Sequence, residues 1–386
     1  MVLEAETING WTQHKIKDFG VVSTGTTPST KNQSYYGGEY KLISPADLTD
    51  SKYIFTAHKF ITAEGLKFAR TIPKNAVLVG CIGNVGKIGM TTDEISAFNQ
   101  QINAIVCNDN FNADFVYYLL RYQRPLLESK AMKVTLPILN KNNFENIEFE
   151  VPTLPEQKSI ARVLATVQEA IARQEELITK LKELKRGMMQ YLFTHGTKGE
   201  KTKMTEIGEV PESWEIVNLS KICKFEYGKS LPVKNRINGH VPVYGSNGIV
   251  GYHDQAMVDL PGIIIGRKGS AGLVHFSKTS FFAIDTTFYI TQKETDQDVK
   301  FLFYLLQKLD LTKLKADVGV PGVNREMAYR EVIAYPKDIN EQGKISQNID
   351  LIQNKIDLTE EKLSAYQNLF KTLLHELMSG ERRIRF

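Results

Sequence analysis

The chain repeats itself over most of its length. The segment TLPEQ at 153–157, followed by an apolar heptad pattern ending at 192–194, recurs as DINEQ at 338–342 with a second pattern ending near Leu377. A similar segment precedes each pattern: LVGCIGNVGKI at 78–88 corresponds to IIGRKGSAGLV at 264–274, and FVYYLL at 115–120 to FLFYLL at 301–306. A duplicated unit of globule plus long helix predicts internal twofold symmetry, and so two similar targets bound at a set distance.

The heptads predict a pair of long helices. Apolar residues alternate steps of three and four for almost five heptads in each copy, the pattern of a coiled coil. Because a folded globule separates the two helices, we expect them to pair antiparallel. The predicted seam consists of Ile160, Leu164, Val167, Ile171, Ile178, Leu181, Ile345, Ile349, Ile352, Ile356, Leu363 and Tyr366.

Start and stop signals frame both predicted helices. A capping box, in which a Glu side chain reaches back to the cap residue, fits Thr153 with Glu156 and Asp338 with Glu341. A C-terminal glycine cap fits Gly196 and Gly380. The predicted domains are a first globular domain at 1–152, a helical region at 153–196, a polar linker at 197–210, a second globular domain at 211–337, and a second helical region with tail at 338–386.

Short β-rich runs broken by Gly, Pro, Asn and Ser, with one helical patch each, characterise both globules. The predicted fold class is α+β, with two similar mixed domains separated by two long antiparallel coiled-coil helices in a pseudo-twofold arrangement. The difference in residue number between matching positions falls from 203 at Trp11 and Trp214 to 186 further on, so the first copy carries an insertion of about 17 residues, expected within residues 30–68. The cores match and the loops differ.

Composition sets outer bounds on function. The 386 residues carry a formal net charge of +4, so DNA binding would depend on local basic loops and not on bulk charge. Three separated cysteines without a CxxC pair argue against disulfides and structural zinc. The polar, acidic start is unlike a signal peptide, and no run of about 18 apolar residues occurs. A cytoplasmic location without membrane contact is expected.

Catalytic motifs are missing. The sequence contains no GxxxxGK[ST] phosphate loop, no HExxH, no metal-spaced Cys/His cluster and no Pro-Pro-aromatic motif of an amino-methyltransferase. The Gly-rich segments at 80–86 and 266–272 precede strand-like runs, so a tight hairpin is favoured over backbone approach to a DNA phosphate. The scattered histidines and the Glu360-Glu361-Lys362 cluster are better explained as surface or core residues. Neither catalytic nor metal-binding residues are predicted.

Polar loops recur at matching places in both globules. They offer Arg and Lys for guanine, Asn and Gln for adenine, Asp for cytosine, and Lys, Ser and Thr for phosphates, although such residues also simply populate turns. In the first globule the candidate DNA contacts are Thr26, Thr27, Ser29, Lys31, Asn32, Ser44, Asn84, Lys87, Asn99, Gln100, Gln101, Asn140 and Lys141. In the second they are Lys229, Ser230, Lys234, Arg236, Tyr244, Ser246, Asn247, Arg267, Lys268, Ser270, Asp285, Thr286, Asn324 and Arg325.

Three segments give the chain a resemblance to a known family. IKDFGVVSTGTT at 16–27 with ISPADL at 43–48, LPEQ at 154–157 with LKRGMMQYLF at 184–193, and EIGEVPESW at 206–214 resemble the specificity (S) subunit of Type I restriction-modification systems. The resemblance covers nearly the whole length. The second helix departs from the family pattern, with INEQ in place of LPEQ and LLHEL at 373–377.

The resemblance implies a non-catalytic subunit that reads a bipartite, asymmetric double-stranded DNA target and scaffolds its partners. Those partners would be two modification (methyltransferase) subunits that bind S-adenosylmethionine, and restriction (motor-nuclease) subunits that use ATP and Mg; this chain would hold no cofactor. A helix of roughly 40 residues is about 60 Å long, which bounds the gap between half-sites at somewhat under two duplex turns. The alternative is a coiled-coil adaptor that spaces two protein-binding globules without binding DNA.

Overall fold

The computed structural model describes residues 10–133, 135–314 and 322–384. They form two compact units, the first drawn from residues 1–174 and 362–386 and the second from residues 175–361. Within the described ranges, no helix combines the length and apolar character needed to cross a membrane.

The first unit contains thirteen described strands and four short helices before a long one. The strands are β1 (Thr12–Lys15), β2 (Gly20–Thr24), β3 (Tyr36–Ile43), β4 (Tyr53–Ile54), β5 (Phe60–Ile61), β6 (Thr71–Ile72), β7 (Val77–Gly80), β8 (Ile88–Thr91), β9 (Ser96–Phe98), β10 (Ile102–Cys107), β11 (Met132–Lys133), β12 (Pro137–Ile138) and β13 (Glu148–Val151). The helices are α1 (Ala63–Leu66), α2 (Ala113–Tyr122), α3 (Arg124–Ser129), α4 (Lys141–Glu145) and the long α5 (Leu154–His195), which ends in the second unit.

The second unit has fewer described strands. They are β14 (Thr202–Thr205), β15 (Gly208–Pro211), β16 (Glu215–Asn218), β17 (Glu226–Tyr227), β18 (Val241–Gly245), β19 (Gly248–His253), β20 (Gly262–Gly266), β21 (Val274–Ser277), β22 (Phe282–Ala283), β23 (Thr287–Ile290) and β24 (Val332–Tyr335). The helices are α6 (Val299–Leu309), α7 (Arg325–Arg330) and the long α8 (Ile339–Met378), which ends in the first unit. Short 3-10 turns lie at Ile16–Asp18, Gln33–Tyr35, Leu219–Lys221, Val233–Asn235 and Leu311–Leu314.

The two units share one sheet topology. The order β2-β10-β7-β8 in the first matches β17-β23-β20-β21 in the second, and the pair β1-β13 matches β16-β24. The parallel pair β3-β9 likewise matches β18-β22. In the smaller sheets, β5 pairs with β3 as β19 pairs with β18. The first unit adds β4 to its main sheet, β6 to its smaller sheet, and the helix α1, within or just after residues 30–68, where the sequence predicts an insertion. The predicted mixed α+β fold with a duplicated core is confirmed.

The Gly-rich segments close antiparallel hairpins, as the sequence favours. In the first unit β7 pairs with β8, and Gly83 and Gly86 in the connection have φ of 75° and 79°. In the second unit β20 pairs with β21, and Gly269 and Gly272 have φ of 73° and 85°. A residue with a Cβ would be strained at these four positions, which explains the repeated glycine spacing.

In each unit, segments of α5 and α8 pack against the globule and against each other. In the first, the core includes Ile160 and Leu164 of α5 together with Phe370 and Leu373 of α8. In the second, Lys182 of α5 bonds Glu360 of α8 at 2.8 Å, and Lys185 of α5 bonds Gln353 of α8 at 2.7 Å. The residue number of the partner on α8 thus falls as the residue number on α5 rises. The two helices therefore run antiparallel, as predicted.

Burial along the predicted seam is uneven. Half of the predicted seam side chains are buried and half are half-buried, because two paired helices cover only one side of each other. Ile160, Leu164, Ile178, Ile345, Ile349 and Ile356 are buried, and Val167, Ile171, Leu181, Ile352, Leu363 and Tyr366 are half-buried.

A glutamine at the start of each long helix fixes the globule to it. Gln157 Oε1 accepts a hydrogen bond from the backbone N–H of Asn112, the cap residue of α2, at 2.9 Å, while its Nε2 donates to the carbonyl of Pro152. Gln342 repeats both contacts with Asp298, the cap residue of α6, at 2.8 Å and with the carbonyl of Pro336. The glutamine that the sequence repeats at these two positions is thus explained by the docking of α2 on α5 and of α6 on α8.

The glutamate half of the predicted capping boxes is wrong. The carboxylate of Glu156 accepts hydrogen bonds from Arg383, and that of Glu341 accepts from Trp214 Nε1 and the backbone of Thr197. Both carboxylates are almost fully buried, so they turn to these donors and not back to their own helix starts. Asp338 does cap α8, because its Oδ1 accepts from the N–H of Asn340 at 3.0 Å.

The segment 197–210, expected as a linker, contains the hairpin β14–β15, whose second strand ends at Pro211. Lys198, just before it, lies 3.1 Å from Asp338 and 3.0 Å from Glu341. The polar composition of residues 197–210 is equally typical of an exposed two-stranded hairpin and of a linker. Composition alone therefore does not distinguish these two structures.

Candidate nucleic-acid interface

Four loops of the first unit meet at one edge of its main sheet, here called edge 1 and comprising residues 25–27, 81–84, 99–101 and 140–141. Antiparallel pairing brings the end of β2, the end of β7 and the start of β10 to this edge. Thr27 donates its hydroxyl to Gln100 Oε1 at 2.6 Å, and the N–H of Cys81 donates to the carbonyl of Gln101 at 2.8 Å. Gly25 is required there, since a Cβ would lie 2.2 Å from the carbonyl oxygen of Asn99.

Edge 2, in the second unit, is built in the same way from residues 228–230, 267–270, 284–286 and 322–325. A Cβ on Gly228 would lie 2.0 Å from the carbonyl oxygen of Ile284, the counterpart of the approach at Gly25. The N–H of Arg267 donates to the carbonyl of Thr286 at 2.8 Å. Ser246 donates its hydroxyl to that same carbonyl at 2.7 Å, which adds the β18–β19 turn to the edge.

Two guanidinium groups at edge 2 lie over the same aromatic ring. The centres of the Arg267 and Arg325 guanidiniums lie 4.9 Å and 5.1 Å from the ring centroid of Tyr227. Arg267 also lies 5.8 Å from the ring of Phe288. Together with Lys268 these side chains line an open pocket of about 500 Å³. Cation–π contacts of this kind hold a guanidinium plane in place while leaving its N–H groups free to donate.

Many of the candidate DNA-contacting residues have partners within the protein. Asn140 and Asn324 cap α4 and α7, and Tyr244 is buried against Phe281. The remaining members of this group bond neighbouring loops or side chains; they are Thr26, Thr27, Asn32, Ser44, Asn99, Gln100, Gln101, Lys141, Arg236 and Ser246. For these residues a role in holding the loops is established by the structure.

A second group has no side-chain partner among the described residues. It includes lysines on both units and small polar residues close to them, most of them exposed. Its members are Ser29, Lys31, Asn84, Lys87, Lys229, Ser230, Lys234, Asn247, Lys268, Ser270, Asp285 and Thr286. An exposed ammonium without a carboxylate partner is available to a phosphate group.

Not all candidate residues lie at the two edges. Arg236 donates to the carbonyl of Val250 on β19, and Lys234 is two positions before it, so both lie beside the β18–β19 hairpin. Lys87 lines a separate cavity of about 350 Å³ with Arg121 and Arg124.

Tyr227 and Arg70 lie beside the edges but were not singled out from the sequence. Tyr227 is 44% exposed. Its place directly before Gly228-Lys229-Ser230 was the available sequence signal. Arg70 donates its N–H to Thr26 Oγ1 at 2.7 Å and a guanidinium N–H to the carbonyl of Thr24. Nothing near Arg70 in sequence marks it, because its partners lie more than 40 positions away.

Ser44, next to edge 1, belongs to a tight polar turn. Its hydroxyl donates to Asp47 Oδ2 at 2.7 Å, and the N–H and ring of His58 contact Asp47 Oδ1. Burial alone would raise the pKa of the Asp47 carboxyl, but the hydrogen bonds from His58 and Ser44 outweigh it and hold that pKa below its usual value. The carboxylate therefore stays ionised and keeps the turn closed.

Metal-binding chemistry has no support in the described part of the chain. No group of three or more His, Cys, Asp or Glu side chains is placed there to hold an ion. The three cysteines are free thiols, and burial raises the pKa of Cys81 to about 11 and of Cys223 to about 12. At neutral pH they are protonated thiols, which makes them poor nucleophiles and poor ligands.

Comparisons with known proteins agree with this architecture. The model of a family described as Type I restriction modification DNA specificity domain matches residues 8–183 and 211–365. The chain therefore belongs to this family, and its general role is recognition of a DNA target.

Individual relatives cover nearly the whole chain. The Type I restriction enzyme MjaVIII specificity subunit of Methanocaldococcus jannaschii is 24% identical, with 97% of this chain and 93% of that protein aligned. The HindI specificity subunit of Haemophilus influenzae is 30% identical over 37% of this chain and 32% of its own length. The crystal structure of the Type I restriction-modification S subunit from M. genitalium superimposes with a TM-score of 0.69 at 20% identity, covering 97% of each chain. That likeness shows a shared fold.

Proposed function

We propose that this chain is a non-catalytic subunit that reads an asymmetric, two-part DNA sequence, one half with each recognition domain. The observation that carries the proposal is the convergence of polar loops, distant in sequence, at edge 1 and edge 2. The chemistry of the two edges differs: Asn and Gln side chains line edge 1, whereas Arg, Lys and Asp line edge 2. Adenine is read by Asn or Gln and guanine by Arg or Lys, so two unlike half-sites are expected.

Partnerless lysines support DNA over a protein ligand. At edge 2, Lys229 and Lys268 are exposed and have no carboxylate within ion-pair distance among the described residues. Other surface lysines are paired, as Lys180 is with Glu176 on α5. Unpaired ammonium groups beside a read-out edge suit phosphates that set the register of the duplex.

The salt dependence of binding tests this proposal. Labelled duplex containing the target would be titrated with the chain and its methyltransferase subunits at several salt concentrations. We expect a negative slope of log affinity against log salt, which becomes shallower by about one for each phosphate-contacting lysine removed, as in Lys229→Ala and Lys268→Ala. Lys180→Ala is the matched control and should leave the slope unchanged. Affinity independent of salt, or equal effects of all three changes, would instead favour the protein-binding adaptor.

We further propose that the long helices hold the methyltransferase and restriction subunits. Each carries apolar residues seven positions apart that face solvent in the second unit: Leu184 and Tyr191 on α5 are 53% and 59% exposed, and Leu351 and Leu358 on α8 are 70% and 45% exposed. Residues seven apart share one helix face, so each pair forms a stripe suited to another amphipathic helix.

Co-purification tests the scaffold role. Leu351→Asp should abolish or sharply reduce recovery of a tagged methyltransferase subunit, whereas Asn354→Asp, an exposed change on the same helix, should not. If both variants recover the partner as well as the unchanged chain does, α8 is not the docking surface. Inserting one heptad into both long helices should lengthen the tolerated gap between half-sites, and an unaltered gap would contradict a spacing role.

S-adenosylmethionine, ATP and Mg are proposed to act on the partner subunits, in a cytoplasmic complex. Support comes from the family membership and from free cysteines that suit a reducing compartment. Methyl transfer by this chain alone, measured with radiolabelled S-adenosylmethionine, would contradict the non-catalytic assignment.

A further inference from the structure

The stacked arginines at edge 2 have no equivalent among the described residues of edge 1. Tyr227 ends β17 as Thr24 ends β2, Arg267 follows β20 as Cys81 follows β7, and Arg325 begins α7 as Lys141 begins α4. At edge 1, Thr24 donates its hydroxyl to Asn103, Cys81 is buried, and Lys141 pairs with Glu145 at 3.1 Å. The same backbone positions therefore carry a guanidinium pocket in one unit and inert side chains in the other.

Arg267 is held by its backbone and by its side chain. Its N–H donates to the carbonyl of Thr286, and its own carbonyl accepts from Val323 at 2.9 Å. The guanidinium lies over Tyr227 and Phe288 and uses one N–H, from Nη1, for a long 3.4 Å contact with the carbonyl of Asp285. The other N–H groups have no acceptor among the described residues, so a planar set of donors remains available to a ligand in the pocket.

We infer that Arg267 reads a guanine in the half-site bound by the second unit, with Tyr227 and Arg325 as positioning residues. This inference rests on the proposed function. A guanidinium fixed in one plane matches the two acceptors, O6 and N7, at the major-groove edge of guanine. Arg325 also packs on Tyr227 and lies 3.5 Å from Glu326, so it supports the ring and contributes less free charge.

The surroundings of Arg267 favour a base over a phosphate. Two carboxylate residues, Asp285 and Glu326, lie at the same edge, and negative charge there disfavours the DNA backbone. The flexible, unpaired Lys229 and Lys268 flank the pocket and are better suited to phosphates, which require a point charge and no fixed plane. The lysines therefore position the duplex, and the stacked arginine discriminates.

Mapping methylated adenines tests the inference in the assembled enzyme. The chain would be co-expressed with its methyltransferase subunits in a host without other adenine methylation, and the methylated motif read by single-molecule sequencing of the genome. In Arg267→Ala we expect one G·C position, in one half-site only, to lose its preference by about 5- to 150-fold, with every other position kept. Lys268→Ala, the neighbouring control, should lower methylation evenly and leave the motif unchanged.

Several outcomes would overturn the inference. An even loss of methylation in Arg267→Ala with an intact motif would make Arg267 a phosphate contact, and a relaxed A·T position, or relaxation in both half-sites, would remove the guanine assignment. Absence of any sequence-specific methylation with the unchanged chain would count against the proposed function itself.

A second variant covers the case in which Arg267→Ala does not fold. Arg267→Gln keeps a long side chain on the ring and should shift the preference at the same position from guanine towards adenine, because glutamine pairs with adenine N6 and N7. Tyr227→Leu fills the same space without a π face and should weaken the guanine preference without creating another. A motif unchanged in both variants would contradict the assignment.

Discussion

Glu156 accepts hydrogen bonds from Nε and Nη2 of Arg383, at 2.6 Å and 2.7 Å, across 227 positions of sequence. In the second unit its counterpart Glu341 lies 3.0 Å from Lys198 Nζ. In both units a basic residue just beyond the end of one long helix binds the carboxylate at the start of the other. Each long helix therefore has its first turn tied to a segment that follows the other long helix. The ion pair involves an arginine at the start of α5 and a lysine at the start of α8.

Removal of Arg383 should destabilise the first unit. Glu156 is buried, and Arg383→Ala would leave its carboxylate without these two donors; because the Arg383 side chain is 35% exposed, water lessens the cost to about 1–3 kcal/mol. Urea unfolding measures the change. Arg382→Ala breaks the more exposed pair with Glu376 and should cost less than about 1 kcal/mol. Equal losses in the two variants would mean that the Glu156 pair contributes no more than a surface contact.

Two glycines of α5 and its end should respond in opposite directions to alanine. Gly196 has a φ of +64°, and its added Cβ would lie 2.7 Å from Glu341 Oε1, so Gly196→Ala should cost more than about 1 kcal/mol. Gly187 lies inside the helix with open space around it, so Gly187→Ala should stabilise by up to about 1 kcal/mol. Thermal melting of both variants measures the difference, and a shift of the same sign in both would be inconsistent with it.

A charge in the helix seam should be costly only where the seam is closed. Ile349 is fully buried in the core of the second unit, and Ile349→Lys should cost at least about 3 kcal/mol because an unpaired ammonium would be buried. Leu351, two positions on, is 70% exposed, and Leu351→Lys should change stability by no more than about 0.5 kcal/mol in the isolated chain. Denaturant midpoints of the pair provide the measurement. Comparable effects would show that the seam does not bury Ile349.

The turn around Asp47 should make stability depend on acidic pH. The folded pKa of Asp47 lies below the ordinary value of 3.8, so its contribution is present above about pH 3.8 and is lost as pH falls through the folded pKa. Asp47→Asn should therefore be less stable than the unchanged chain by about 1–3 kcal/mol at pH 6, and this difference should shrink as the pH falls below 3.8. Asp50→Asn, at an exposed position nearby, should change stability at pH 6 by no more than about 0.5 kcal/mol. A difference for Asp47→Asn that stays constant as the pH is lowered would point to lost packing and not to lost charge.

The repeat and the long helices were predictable because each depends on a periodic sequence pattern. The hairpins were predictable because their turns require a positive φ, which favours glycine. The function of Glu156 was not, because a capping box and a long-range ion pair require the same residue at the same place. Only the fold shows that Arg383 is within reach. The loops of edge 2 were found as polar stretches, but their meeting at one sheet edge depends on strand order, and the ring of Tyr227 became meaningful only beside two arginines.

Tyr227, Arg267 and Arg325 are not among the buried residues of the apolar core of the second unit, and their counterparts in the first unit are Thr24, Cys81 and Lys141. On the proposed function, substitutions at the exposed members of this set would alter recognition without emptying space in the core, so their cost in folding free energy would be small. The two halves of the chain can consequently diverge independently. A change in the DNA sequence that is recognised would then require only a few substitutions at one edge, while the rest of the chain stays the same.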